Sequence, residues 1–481
     1  MKLDRLLKDV ETKKIYNDTN PEITGVSYNS ADVKPGYVFV AIKGFKTDGH
    51  KYIGDALKRG AAAIIAEDYT EISDAVQIIV ENSRIAEAMV SANFFERPSE
   101  KFKLIGITGT NGKTTVTYLV KHILDSLGYK TGLIGTNQNM IGDRVLETGR
   151  TTPDSFELQK LFHEMVLENV THVIMEVSSH ALELSRVYGC NYEVGAFTNL
   201  TQDHLDFHIT MDNYAKAKEK LFKQSKYAVI NGDDAYGAKM AEKAPCEVKT
   251  YGMETKCDLT AYDVSYDKNK VCFLLDSTKY SLLIPGKFSV YNALCAIGIC
   301  RALGLSENDI SRTLAIASGV KGRAEIVDTG DADYTIMIDY AHTPDGIENI
   351  LKAARGFAKG RVVIVFGCGG DRDNTKRAIM GKIAGELADF VVITSDNPRT
   401  EKPLSIIKMV EEGAKQAPAP YIVVENRRDA IKYAIENAKK DDVIILAGKG
   451  HETYQILNEG TIHFDEREVV HEILFGGNNL E

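Results

Sequence analysis

KLIGITGTNGKTTVTYLVKHILDSL, residues 103–127, reads as a strand, a glycine-rich turn and a helix in immediate succession. The apolar run ends at Thr108. Beyond the turn, Val116, Leu119, Val120, Ile123, Leu124 and Leu127 recur at helical spacing, giving one apolar stripe to lay on a sheet. Backbone N–H groups of such a turn and of the helix start can surround a phosphate, while Lys113 adds a point charge and Thr114 a hydroxyl for Mg²⁺. Gly109, Thr110, Asn111, Gly112, Lys113, Thr114 and Thr115 are therefore the expected contacts of a nucleoside triphosphate. The strict GxxxxGK[ST] spacing is not met, because residue 107 is Ile and the glycine stands one place earlier, at Gly106.

Outward from this stretch the chain organises into three parts. Residues 1–100 mix short strands and turns, such as YVFVAI at 37–42 after the Pro35-Gly36 turn, and read as a small α/β module closed by the polar linker RPSEK at 97–101. Residues 101–325 alternate helices with strands expected at 103–108, 172–177, 194–198 and 227–230, the βα rhythm of a largely parallel sheet. Residues 326–481 repeat that rhythm with strands expected at 335–338, 362–366, 390–393, 422–424 and 443–446. Four of these run directly into DYAH, GCGGDRD, TSDNPR and AGKGHE. Ligands bind beyond the carboxyl ends of strands in open α/β sheets, so these clusters read as a binding edge of a Rossmann-like domain.

Composition narrows the function classes. A chain of 481 residues is too long for one core. Its 44% hydrophobic and 26% charged residues are those of a globular protein. The start, MKLDRLLKDVETKK, breaks every apolar run with charge, and nowhere do about eighteen apolar residues run together, so neither export nor membrane insertion is expected. Seven cysteines without CxxC pairs read as core thiols of a cytoplasmic protein. A net charge of −10 argues against nucleic acid as partner and makes anion sites local.

Three further segments carry chemistry. Glu176 closes the strand HVIMEV and precedes Ser178, Ser179 and His180; at a strand tip beside a phosphate loop its carboxylate suits Mg²⁺, although alone it is equally a charge at a helix start. NLTQDHLDFH, residues 199–208, concentrates Asp203, His204 and Asp206 on a loop after a strand. YAKAKEKLF, residues 214–222, is by composition only a solvated basic helix.

Taken in order, TGTNGKTT, EVSSH, TNLTQDHLDFH and YxxAKxxLF resemble the central domain of the Mur ligases, and the resemblance extends over essentially the whole chain. It implies a three-domain α/β protein: a UDP-binding amino-terminal module, a central P-loop ATPase-like domain with a mostly parallel sheet, and a carboxyl-terminal Rossmann-like domain that binds an amino acid. It further implies that Lys218 is carbamylated, and that Thr114, Glu176, His204 and the Lys218 carbamate hold two Mg²⁺ ions. Lys113, Glu176, His204 and Lys218 are then the expected catalytic set. Thr151 and Thr152 in RTTP, with Ser178 and Arg186 in SSHALELSR, match residues that hold the D-glutamate end of a UDP-linked muramoyl dipeptide. Ser30 resembles a uridine contact, though the family's following Arg is Ala31 here. Asn292, Arg323 and Asp339 resemble ATP contacts, with Ser289 standing where relatives commonly have Asn.

The same resemblance makes the tetrad Asp396, Asn397, Pro398 and Arg399 a mark for meso-diaminopimelate, with Arg377, Gly448 and Glu452 completing the pocket. Diaminopimelate carries a carboxylate at its far end where lysine has none. An arginine aimed there pairs with the first and is left desolvated by the second. The implied reaction phosphorylates a carboxylate, lets an amine attack the acyl phosphate and releases phosphate, with the third domain closing over the second. A folylpolyglutamate synthetase or lysine-adding ligase, a P-loop small-molecule kinase and a non-catalytic nucleotide binder are the alternatives. DNPR and the amino-terminal module weigh against the first pair, and the magnesium constellation against the last. A monomer is expected.

Overall fold

A computed structural model describes residues 1–44, 47–72, 75–266 and 270–476. Among these, strands gather into three main sheets and one hairpin. The first sheet comprises β1 (Thr12–Tyr16), β2 (Gly25–Ser27), β3 (Tyr37–Val40), β4 (Ala63–Ala66) and β5 (Val76–Val80), in the order β1-β5-β4-β3-β2. Only β1 runs antiparallel to its neighbour.

The second sheet is built around β6 (Lys103–Thr108), the strand of the opening stretch. With β7 (Thr131–Ile134), β8 (Asn139–Ile141), β9 (Arg144–Leu146), β10 (His172–Glu176), β11 (Tyr192–Phe197), β12 (Ser225–Asn231) and β13 (Glu247–Gly252) it forms the order β13-β12-β11-β6-β10-β7-β8-β9. The strands from β13 to β7 are parallel, and β6 is covered on both sides, by β10 and β11. Helix Lys113–Ser126 lays its stripe on this sheet: Val116, Leu119, Val120, Ile123 and Leu124 are all buried. Each such side chain contributes on the order of 2 kcal/mol relative to exposure. Gly128, at φ +83°, ends the helix turn.

Two antiparallel flanks extend the sheet beyond the expected strands. β8 and β9 form a hairpin on one edge. On the other, β14 (Leu259–Tyr266), β15 (Val271–Leu275) and β16 (Thr278–Leu282) form a meander whose buried residues alternate. Helix Lys287–Ala302 packs both on this sheet and on helix Lys113–Ser126, and reaches helix Pro344–Arg355 beyond it. Its start lies so close to that helix that a Cβ on Gly286 would come 2.7 Å from the Ala353 Cβ.

The third sheet comprises β17 (Glu325–Val327), β18 (Thr335–Asp339), β19 (Val362–Phe366), β20 (Phe390–Ile393), β21 (Tyr421–Val423) and β22 (Val443–Ala447), in the order β17-β18-β22-β19-β20-β21. All but β17 are parallel. Loops leaving β18, β19, β20 and β22 therefore share one edge, as the clusters at the strand ends require. The hairpin β23 (Tyr454–Leu457) and β24 (Gly460–His463) stands beside that edge. Among the described residues no helix is long and apolar enough to cross a membrane.

Candidate active site

The turn after β6 is held both by its neighbours and by its own side chains. Gly109 has φ +150° and Gly112 φ +87°; a Cβ on the first would come 1.8 Å from Thr198 Oγ1, and on the second 2.5 Å from Asn292 Oδ1. Only glycine fits either place. Asn199 Oδ1 accepts from Asn111 N at 2.9 Å and Thr198 Oγ1 donates to Asn111 O at 2.6 Å. Gly112 caps helix Lys113–Ser126 without a side-chain hydrogen bond, leaving the first helical N–H groups for an anion. Lys113 Nζ curls back to donate to Gly109 O and Thr110 O at 2.9 and 2.8 Å, and burial lowers its proton affinity.

Lys218 lies beneath the same turn. It is 1% exposed, donates from Nζ to Gly109 O at 2.8 Å, and stands 4.4 Å from the Tyr214 ring centre. Burial, reinforced by the charge of Lys113, pushes its amine well below the ordinary lysine range. His204 meets the Tyr214 ring edge-on, at 6.1 Å between ring centres, and its backbone sits at φ +54°. Burial pushes the His204 imidazole down to about 3, so it is a neutral donor of a lone pair at neutral pH. Asp203 beside it receives Lys376 Nζ at 3.3 Å and has His342 Nε2 at 3.8 Å, both from the third domain.

Glu176, at the tip of β10, faces the helix start. Its Oε1 accepts from Thr114 Oγ1 at 3.0 Å and Thr136 N at 2.9 Å, and its Oε2 from Thr136 Oγ1 at 3.0 Å. Arg323 donates to Thr114 Oγ1 at 3.0 Å and lies over the Tyr340 ring at 4.7 Å. The four expected metal ligands thus fall into two neighbourhoods, Thr114 with Glu176 and Lys218 with His204. Among the described residues no group of three or more His, Cys, Asp or Glu side chains is arranged to hold an ion.

The expected dipeptide contacts cluster beside Glu176. Thr152 Oγ1 donates to Glu176 O at 2.8 Å and accepts from Ser178 N at 3.1 Å, and Thr151 Oγ1 lies 3.0 Å from Thr136 Oγ1. Ser178 caps helix Ser179–Glu183 through Ala181 N. Arg186 donates to Thr152 O at 3.2 Å and pairs with Asp154 at 2.8 Å. Asp154 also accepts from Tyr28 Oη at 3.2 Å, which ties the amino-terminal module to this cradle. Ser30 is buried at the start of the short helix Ser30–Asp32, beside a groove lined by Tyr28, Asn29, Ala31, Phe156 and Glu157.

A cavity of about 350 Å³ opens from the phosphate turn into the seam between the second and third domains. Asn111, Gly112, Thr115, Asn292 and Arg323 line it from the second domain, and Asp339, Tyr340 and Asp345 from the third. Asn111 donates across the seam to Asp345 at 2.6 Å. The Asp339 carboxylate braces backbone as well as lining the cavity, accepting from Ala324 N at 2.7 Å and Ala341 N at 2.8 Å.

At the edge of the third sheet, Asp396, Asn397, Pro398 and Arg399 meet the loop after β22. Asn397 Nδ2 donates to Glu452 Oε2 at 2.9 Å, and a Cβ on Gly448 would come 2.4 Å from Asp396 Oδ2. Arg399, at φ +54°, donates to Gly370 O at 2.8 Å. Arg377 differs: it is 1% exposed and spends its guanidinium on Glu401 at 2.9 and 2.8 Å and on Gly369 O at 3.1 Å. Its place is behind the Arg399 loop, bracing it through Glu401.

Three family models match this chain in succession: the Mur ligase family, catalytic domain over residues 22–105, the Mur ligase middle domain over 107–300, and the Mur ligase, glutamate ligase domain over 322–450. A UDP-N-acetylmuramoyl-L-alanyl-D-glutamate--2,6-diaminopimelate ligase of Caldanaerobacter subterraneus subsp. tengcongensis is 51% identical, covering 98% of this chain and 99% of its own. The chain belongs to the Mur ligase family. A Clostridium acetobutylicum ligase of the same name is 50% identical with the same coverage. A solved structure of such a ligase superposes at a TM-score of 0.70, with 29% identity over 98% of both chains. A MurF ligase from Thermotoga maritima in complex with ADP shares the fold at a TM-score of 0.60 and 20% identity, over 93% of this chain and 96% of its own.

Within this Mur ligase, sequence reasoning missed several residues that the fold brings to the site. Thr136 and Asp154 follow no motif, and their roles come from partners distant in sequence, Glu176 and Tyr28. Lys376, His342 and Lys449 stood inside or beside quoted motifs, and only the fold turns them toward Asp203 and Asp396.

Proposed function

We propose that this chain is an ATP-dependent ligase that joins meso-2,6-diaminopimelate to the D-glutamate carboxylate of UDP-N-acetylmuramoyl-L-alanyl-D-glutamate, releasing ADP and phosphate, in peptidoglycan precursor synthesis. The observation that carries the reading is the seam: a phosphate turn, a cradle for a carboxylate and a pocket rich in charged groups come from separate segments, and two of the three domains meet at the turn itself. Full-length relatives of about 50% identity bearing that ligase name support it. We assign residues 1–100 to the UDP-muramoyl module, 101–325 to the ATP-binding domain and 326–481 to the amino-acid domain, working as a monomer in the cytoplasm, where ATP and nucleotide-linked precursors are made.

ATP lies with its phosphates on the Gly109–Thr115 turn and its base in the cavity beside Asn292, Arg323 and Asp339. Lys113 leaves the two carbonyls that it now contacts and pairs with the transferred phosphoryl group. Thr151, Thr152, Ser178 and Arg186 hold the D-glutamate carboxylate so that one of its oxygens attacks the γ-phosphorus, giving an acyl phosphate and ADP. The unprotonated amine of the acceptor, held by the Arg399 pocket, attacks the carbonyl carbon; the tetrahedral intermediate expels phosphate, and the amine loses a proton. Ser30 contributes to holding the nucleotide sugar.

The donor set fits Mg²⁺. Thr114 and Glu176 offer hard oxygens 3.0 Å apart. Lys218 is buried and its amine is pushed well below the ordinary lysine range, which favours the neutral form that takes up CO₂ and loses a proton to become a carbamate; that carbamate with the neutral His204 would make a second pair. Bound there, the ions would neutralise charge on the phosphates.

Phosphate release from ATP with UDP-muramoyl-L-Ala-D-Glu, measured with meso-diaminopimelate, with lysine and with no amine, tests the reading. Release only with diaminopimelate is expected. Equal rates with lysine remove the assigned specificity, and release without any amine points to a kinase.

A further inference from the structure

A lysine sits inside the acceptor pocket, where nothing so far has used it. Lys449, in the loop after β22, is 0% exposed. Its Nζ donates to Asn397 Oδ1 at 3.0 Å and Glu452 Oε2 at 3.1 Å, and lies 3.8 Å from Asp396 Oδ1. Asn397 is locked in turn, its Oδ1 also accepting from Ile456 N at 2.9 Å and its amide donating to Glu452. Gln455 Nε2 donates to Asp396 O at 2.6 Å. One ammonium therefore fastens the DNPR loop to the loop after β22.

Its charge matters as much as its bonds. Asp396 and Glu452 are both nearly buried; Lys449 stands 3.8 Å from the first and 3.1 Å from the second, and the buried guanidinium of Arg427 acts on both from helix Arg427–Glu436. Burial raises the proton affinity of Glu452 and Lys449 lowers it. Counted by formal charge, Lys449, Asp396 and Glu452 sum to −1, and the buried Arg427–Glu466 pair beside them adds nothing. The far end of a 2,6-diamino diacid offers one ammonium and one carboxylate, the latter opposite Arg399.

We infer that Lys449 is a specificity-determining residue of the acceptor pocket: it holds Asn397 and Glu452 in place and leaves the pocket with the single negative charge that one acceptor ammonium neutralises. This rests on the proposed diaminopimelate reading.

The test compares full-length Lys449→Met and Lys449→Gln with the unaltered chain in the phosphate-release assay. Both variants remove the charge, and the second retains a donor to Asn397. The KM for diaminopimelate is expected to rise about 30-fold in each, with the KM values for ATP and the UDP-dipeptide unchanged within about twofold. Because Lys449 lowers the proton affinity of Glu452, its loss should make the diaminopimelate KM of the variants more dependent on pH than that of the unaltered chain, falling as pH rises. Lys449→Arg should keep the original pH dependence. An unchanged diaminopimelate KM in either neutral variant, or a parallel rise in all three KM values, overturns the inference. Should neither neutral variant fold, a Lys449→Arg protein whose pH dependence departs from the unaltered one overturns it, and one that keeps it supports it. Indifference of the unaltered chain to diaminopimelate versus lysine is a different failure, that of the function proposed above.

Discussion

The two arginines of the acceptor pocket show how differently one residue type is used. Arg377 has its carboxylate partner already, in Glu401, whereas Arg399 donates to the backbone carbonyls of Gly370 and Asn397, neither of which cancels its charge. Arg399→Ala should lower kcat/KM for diaminopimelate about 100-fold and raise the relative rate with lysine, measured as phosphate release with each amine. Arg377→Ala should instead lower stability, by about 1–2 kcal/mol in denaturant titration, because it removes a buried guanidinium bonded to the partly exposed Glu401 and to the Gly369 carbonyl. Lys113→Met should lower kcat about 10³-fold while the protein still melts cooperatively, since its present partners are two carbonyls of its own turn. The placement of Lys113 and Thr114, at a helix start after a glycine turn, was legible because local sequence sets it. Arg377 was not, because its pairing with Glu401 depends on helix Lys376–Leu387 folding against the DNPR loop.

Elements were legible in proportion to their burial. The parallel strands β6, β10, β18, β19, β20 and β22 announce themselves as continuous apolar runs because both faces are covered. β15 and β16 are half-buried, and their burial alternates where the sequence does not declare it: VCFLL is apolar throughout, and TKYSL offers only Tyr280 and Leu282 to the core. The phosphate turn shows the opposite case, an element whose spacing breaks the strict motif yet whose geometry is enforced from outside. Gly112→Ala puts a methyl against Asn292 and strains a left-handed residue, so it should raise the ATP KM at least tenfold and cost roughly 1–2 kcal/mol of stability. Wild-type ATP affinity in that variant, by calorimetry, would refute the assigned phosphate site.

Across the whole molecule the domains are joined by charged contacts whose titration is measurable. Glu87, from the amino-terminal module, is buried against the second domain, where its Oε1 accepts from Phe156 N at 3.3 Å. Burial, with the charge of Asp154, raises its carboxyl from 4.5 to about 7. A native state that holds this proton more tightly than the unfolded chain is favoured below pH 4.5, and that advantage is lost as pH rises toward 7. Glu87→Gln should therefore remove a fall of about 2–3 kcal/mol in unfolding free energy between those limits, read by urea titration at several pH values. On the facing seam, Asp203→Asn frees Lys376 and His342 and should loosen the third domain from the second, seen as faster amide exchange in helix Lys376–Leu387.

One peptide oxygen, that of Gly109, is the acceptor for both Lys113 and Lys218. Neither amine does its proposed work in that posture: one has to swing to the nucleotide, the other to combine with a dissolved gas. On the proposed carbamate, readiness for turnover would depend on the carbonate chemistry of the surrounding water as well as on ATP: protein transferred to rigorously degassed buffer should start slowly and regain its speed when bicarbonate is returned, with its melting temperature unmoved.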